Sequence, residues 1–298
     1  MAAAPRACKV RALGLAVVLA LLAPTAVTAQ DAQALRARHE ALQADLAHSA
    51  FPQPLVLQSQ DSARASRGDV SAVVAQPFAV VHAVLSTAAA WCDVLMLHQN
   101  VKACRVGGAA QRRTVSVAIG RKFDQPAAEA YQVEFAFRPV ATGDDYLRVQ
   151  LSADHGPLGT RDMRIDFEAT PAGERATFVH MSYSYRHGAL ARAALAVYLS
   201  TVARDKVGFT VVGRRADGRP VYVGGLRGVV ERNALRYYYA VDAVLGASAL
   251  PQARQPEQRL RAWWALVAQH PRQLREMERD EYLAMKRREL ARLQAPER

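Results

Sequence analysis

Gln132-Val133-Glu134-Phe135-Ala136-Phe137-Arg138 and Phe178-Val179-His180-Met181-Ser182-Tyr183-Ser184-Tyr185 alternate polar and apolar residues one by one. The same period of two recurs at Val115, Val117 and Ile119, at Leu147, Val149 and Leu151, and at Met163, Ile165 and Phe167. Successive side chains of a strand point to opposite faces, so each run has one apolar and one polar face. Five such strands in residues 114–185 predict an antiparallel sheet with one face in a core and the other in water. Turn chemistry separates them: Ala141-Thr142-Gly143-Asp144, Asp154-His155-Gly156-Pro157 and Pro171-Ala172-Gly173.

Outward from the sheet the pattern is mostly helical. Upstream, residues 31–49 read as a polar, Ala-rich helix ended by Pro52 and Pro54. Residues 59–69 read as a polar loop and 70–76 as a strand. Pro77 opens a helix running to Trp91. Downstream come a helix at 188–206, a hairpin at 207–224 turning at Asp217-Gly218, and a helix at 226–248 containing Tyr237-Tyr238-Tyr239. Pro251 and Pro256 bracket a linker before two last helices, 257–269 and 272–293. The last has a narrow apolar stripe, which predicts an appendage outside the main core. Trp263 and Trp264 point about 100° apart on a helix, so one of them at most anchors a core.

The chain of 298 residues carries 39 Lys and Arg against 27 Asp and Glu, and 51% hydrophobic residues. That composition excludes a disordered chain. The N-terminus has Arg6, Lys9 and Arg11 with no acid, then the apolar run Leu13 to Ala23, then Val27 and Ala29 at small-residue positions. This is a secretory leader, 1–29, with cleavage expected after Ala29 and a periplasmic mature chain. Its removal takes three bases and no acid from 39 and 27, leaving +9. A solvated basic surface and peripheral contact with an anionic membrane surface both fit that surplus. The bases are scattered and lack aromatic interleaving, so a nucleic-acid partner is not expected. Cys92 and Cys104 remain after cleavage and are expected to pair in an oxidising compartment.

Catalytic and cofactor motifs are missing. There is no phosphate loop, no dinucleotide fingerprint, no H-E-x-x-H, no G-x-S-x-G and no paired C-x-x-C, and neither a catalytic residue, a metal nor a cofactor is expected. Asp154 and His155 sit on a turn, and Asp166, Glu168 and His180 fall on the polar strand face, expected to be wet. Gly224-Gly225-Leu226-Arg227-Gly228 reads as a glycine-rich hairpin exit.

The order strand, helix, curved antiparallel sheet, long helix resembles the helix-grip plan of the START-like (SRPBCC) superfamily. The resemblance covers about residues 68–250 and rests on that order and on Gly68-Asp69-Val70, Pro77-Phe78 and Trp91-Cys92-Asp93. The stretch from Lys206-Val207-Gly208-Phe209 to Glu231-Arg232-Asn233 looks like an uncharacterised exported proteobacterial branch of it. The expected architecture is therefore α+β: leader 1–29, N-terminal helix and linker 30–67, START-like domain 68–250 and helical appendage 251–298. Either 188–206 or 226–248 closes the grip.

The resemblance implies a cavity between the apolar sheet face and the long helix; alternation by itself fits a filled core equally. It implies an apolar, lipid-like ligand touching Phe135, Phe137, Val149, Met163, Phe167, Met181, Tyr183 and Tyr185, the tyrosine hydroxyls supplying the polar tips. A binding or carrier protein follows, with a cyclase- or hydrolase-like enzyme or a non-catalytic envelope interaction protein as alternatives.

Overall fold

The computed structural model describes residues 23–189, 192–193 and 206–294. Most of the expected leader and most of the helix expected at 188–206 lie outside the described residues. Position 29, the expected cleavage site, falls within the first helix, α1 (Ala23–Ala47).

Eight strands form one antiparallel sheet: β1 (Leu55–Asp61), β2 (Ala65–Val74), β3 (Val101–Gly107), β4 (Thr114–Ile119), β5 (Tyr131–Thr142), β6 (Leu147–His155), β7 (Thr160–Pro171) and β8 (Thr177–His187). Their order is β1-β2-β8-β7-β6-β5-β4-β3. After β2 the chain crosses to the far edge through α2 (Phe78–Leu85) and α3 (Ala88–Leu97). It then returns strand by strand until β8 pairs with β2. Bulges in β5 and β7 interrupt the register and bend the sheet.

Strands β4 to β8 are the five runs of alternation. Two strands were not legible. Residues 59–69, expected as a loop, form the turn end of the β1–β2 hairpin, where Ser59 pairs with Gly68 and Asp61 with Ser66. The expected linker of 30–67 thus contains an edge strand; its polar residues are tolerated because an edge faces water on one side. β3, which carries Cys104, was also missed. The single helix expected from 77 to 91 is two helices bent by 90°. Thr87 starts the second by accepting the Ala90 N–H, and the Trp91 indole donates across the corner to the Leu85 carbonyl at 2.8 Å.

A small ribbon, β9 (Val211–Arg214) and β10 (Pro220–Tyr222), lies outside the sheet. Then α4 (Gly225–Ala247) crosses the sheet's inner face and is the helix that closes the grip among the described residues. Gly68 marks the crossing. A Cβ there would stand 2.9 Å from the Val230 carbonyl oxygen and 3.0 Å from the Ala234 Cβ, so only glycine permits this approach.

The C-terminal helices α5 (Gln255–Ala268) and α6 (Arg279–Gln294) correct the appendage expectation. Leu260, Trp263, Val267, Leu274, Tyr282, Leu283 and Met285 are buried in the same core as the sheet. Trp263 stacks on Tyr282 at 4.9 Å and donates its indole N–H to the Arg236 carbonyl. Trp264 is half-buried, in line with one core tryptophan out of two. Charged residues of α6 complete the docking. Glu289 pairs with Lys102 of β3 at 2.9 Å and with Lys286 at 2.8 Å, all three fully buried. Lys286 also donates to the Val101 carbonyl. Buried charges are stable when paired and hydrogen-bonded, so a helix that reads as polar still presents a buried face.

The outer face is not all wet. α1 lies on it, and Leu35 and Leu46 form a second cluster with Tyr146 and Phe178. His39 stacks on Phe178 at 4.6 Å. His180, expected at the surface, is 3% exposed. Glu168 accepts the Tyr146 hydroxyl and Asp166 accepts the Gln150 amide, while Arg164 is exposed as expected.

Candidate functional site: the aromatic ladder inside the grip

β8 contributes Val179, Met181, Tyr183, Tyr185 and His187 to the inner face, in that order along the strand. Polarity therefore rises along one line. Register sets Val70 opposite Met181, Gly68 opposite Tyr183 and Ser66 opposite Tyr185, so β2 follows the same gradient. The eight residues expected at a ligand all lie in the one core, each buried, with 0–6% exposure. At the apolar end Phe167 meets Trp91 edge-on at 5.6 Å.

The polar end is a ladder of rings. His98 stacks on Tyr237 at 5.2 Å, Tyr237 packs on Tyr183 at 5.4 Å, Tyr183 on Tyr185 at 5.7 Å, and Tyr185 on His187 at 6.1 Å. Three elements supply it. His98 ends α3, Tyr237 projects from α4 towards the sheet, and β8 brings the others. Ser66, across from Tyr185, donates to Asp61 at 2.7 Å and lies 3.3 Å from His187 Nε2. Arg192 forks onto Asp61 at 3.1 and 2.9 Å. This is not a hydrolytic triad, because Ser66 gives its proton to the aspartate instead of to a histidine base.

Burial sets the protonation. It pushes the Tyr183 hydroxyl well above its ordinary value, with Tyr237 and Tyr185 adding to the shift. Burial pushes Tyr185 and Tyr237 each up to about 12. All three hydroxyls keep their protons at neutral pH. Burial, followed by the cations Arg236 and Lys286, holds His98 well below the usual imidazole range, so its ring is neutral. His98 Nδ1 accepts the Asn100 N–H at 3.2 Å, which leaves the ring proton on Nε2.

Two buried nitrogens here, His187 Nδ1 and Arg232 Nη1, have no hydrogen-bond partner among the described residues, and His98 Nε2 has only the Asn233 side chain beside it. Arg232 is 6% exposed, and burial, then neighbouring Arg236, pull its guanidinium down to about 10. A buried donor without an acceptor costs free energy, so the surplus points to a group that completes it. His98, His187, Arg232 and Tyr237 were not legible as site residues. His187 continues the β8 alternation two positions past Tyr185, whereas His98, Arg232 and Tyr237 stand far from the alternating runs, and only the grip brings them together. A helical period places Tyr237 and Asn233 on one face of α4, which is the one signal that was available.

Cys92 and Cys104 form a disulfide between α3 and β3, with Cα atoms 5.4 Å apart. Among the described residues no group of three or more His, Cys, Asp or Glu is arranged to hold a metal ion. Asp154 and His155, expected on a turn, are instead the exposed last residues of β6, where His155 pairs with Arg161 of β7. Gly224 and Gly225 lead into α4 directly from the β10 exit.

No family model and no curated protein matches the sequence. Solved structures of similar shape include norcoclaurine synthase from Thalictrum flavum, at 13% identity over 48% of this chain and 91% of that one, with a TM-score of 0.34. The Zhui aromatase/cyclase from Streptomyces sp. R1128 gives 11% identity over 47% and 87%, with a TM-score of 0.32. A conserved protein of unknown function from Enterococcus faecalis gives 9% over 80% and 90%, also at 0.32. Scores and identities this low carry no argument about chemistry. The strand order and the position of α4 themselves make the architecture a helix-grip, START-like one.

Proposed function

We propose that this chain is an exported binding or carrier protein for a small molecule with an apolar, lipid-like body and an end rich in hydrogen-bond acceptors. The observation that carries the reading is the polarity gradient of the inner face, ending in the buried donors of His98 and Arg232, of which Arg232 Nη1 lacks an acceptor. Val149, Phe167 and Met181 would meet the body; the tyrosine hydroxyls and those donors would meet the end. Export rests on the leader pattern and on the paired cysteines, which suit an oxidising compartment.

Native mass spectrometry of protein purified from a periplasm, with solvent extraction of the same sample, tests the reading. A small organic mass that leaves on denaturation supports it. A bare chain in every preparation, unable to take up added fatty acids or fatty alcohols, overturns it.

One observation favours an enzyme as the second reading. A neutral His98 beside the buried hydroxyls of Tyr183 and Tyr237 could donate to a developing oxyanion in a cyclase-like reaction. The envelope-interaction alternative loses the exposed tryptophan pair it called for, since Trp263 is 1% exposed.

A further inference from the structure

The ribbon β9–β10 has apolar side chains and no core beneath them. Every residue of β9 is exposed. Val211, Val212 and Val221 are 49%, 57% and 38% exposed, and they are three of the eight exposed large hydrophobics among the described residues. Scattered exposed valines are ordinary; these three lie within one short two-stranded ribbon, Val221 opposite Gly213 and Val211 opposite Tyr222.

The tip is basic. Arg214, Arg215 and Arg219 surround a single acid, Asp217, which takes the Arg219 guanidinium at 2.7 Å. Gly218, with φ of 81°, makes the turn and carries no side chain. The ribbon thus presents two uncompensated positive charges beside small aliphatic tips.

Its base is held firmly. Glu231, with no exposed surface, accepts the N–H groups of Phe209 and Thr210 and the Thr210 hydroxyl, and also the Ser59 hydroxyl of β1. The Gly208 N–H donates to the Val223 carbonyl and the Val223 N–H to the Thr210 carbonyl, closing the ribbon at its root. Arg272 sits over the Tyr222 ring at 5.4 Å. A buried carboxylate that gathers four donors fixes the direction in which the ribbon projects.

We propose that the β9–β10 ribbon docks the protein on an anionic phospholipid surface. The arginines meet headgroup phosphates, for which guanidinium is the matching donor, and Val211, Val212 and Val221 enter the boundary between headgroups and acyl chains. A second copy of the chain is a poorer occupant, because pairing two ribbons brings like-charged tips together. This inference goes beyond the ligand reading and does not depend on a cavity.

The experiment is co-sedimentation of the mature protein with two kinds of vesicle: phosphatidylcholine alone, and phosphatidylcholine with about one-third phosphatidylglycerol. Binding to the anionic vesicles alone, weakened by added salt, is expected. Val212→Asp with Val221→Asp should weaken it at least about tenfold, and Arg214→Gln with Arg215→Gln should weaken it and remove the salt dependence. All four positions are solvent-exposed, so an unchanged denaturation midpoint should accompany the loss. Phe123→Asp, at an exposed hydrophobic elsewhere, should bind as the parent does. Equal binding to both vesicles, no binding to either, or binding that survives the ribbon substitutions overturns the proposal. So does a vesicle-free dimer that the same substitutions dissolve, which would assign the ribbon to a second copy.

Discussion

His180 of β8 and Asp69 of β2 face each other on the outer side of the sheet, Nε2 3.4 Å from the carboxylate, sealed beneath α1. Arg67 forks onto the same carboxylate, Ser71 lies 3.0 Å from His180 Nδ1, and Arg38 of α1 reaches the imidazole. Burial would raise the Asp69 carboxyl, but the hydrogen bonds from His180 and Arg67 outweigh it and hold the group at about 2.

Asp69→Asn should therefore cost about 2 kcal/mol at neutral pH. Asp69 titrates near 3.8 when unfolded and near 2 when folded. Its contribution is complete above 3.8 and is lost as pH falls through 2. Urea midpoints of parent and variant should differ clearly at pH 6 and converge towards pH 2.

His98→Gln tests the protonation inside the grip. The unfolded chain takes up a proton at this histidine near pH 6.5, while the folded chain refuses it until well below. The group's contribution is complete above 6.5 and is lost progressively as the pH falls from 6.5 towards the folded value. The parent's thermal midpoint should fall between pH 7.5 and 5, and the variant should lose part of that slope. Equal slopes would count against a neutral, buried His98.

Trp263→Ala should destabilise by about 3–5 kcal/mol, as removal of a large core side chain does. A chain truncated after Ala249 should aggregate, since it exposes the core face of α4. Soluble truncated protein with the parent's midpoint would return α5 and α6 to the status of an appendage.

The disulfide should leave no free thiol in denatured, unreduced mature protein; a chain that keeps its leader should show one, Cys8. Reduction should cost about 2–3 kcal/mol for so short a loop. Two thiols per mature chain would contradict the bond.

Phe135→Trp separates a lined cavity from a filled core. With a cavity, ligand retention falls and the midpoint moves little. In a filled core the larger ring overpacks and costs about 1–3 kcal/mol, with no ligand to lose. Retention assayed by native mass spectrometry beside urea denaturation reads both.

What the sequence determined by itself is the sheet. Period two at 132–138 and 178–185 assigns every side chain to a face, so Phe135, Phe137, Met181, Tyr183 and Tyr185 were known to share a side before any contact was known. Only the tertiary structure decided what covers each face. His180 has the strand position of a wet residue, and α1, from 142 residues away at Arg38, buries it. Glu289 looks like a solvated helix charge, and Lys102, 187 residues earlier, makes it a buried partner. His98 and Tyr237 join Tyr183 because the bend at Ser86–Thr87 and the glycine at 68 let α3 and α4 close on the sheet. Local pattern fixes the direction of a side chain; what that side chain meets depends on segments distant in the chain, which only folding brings near.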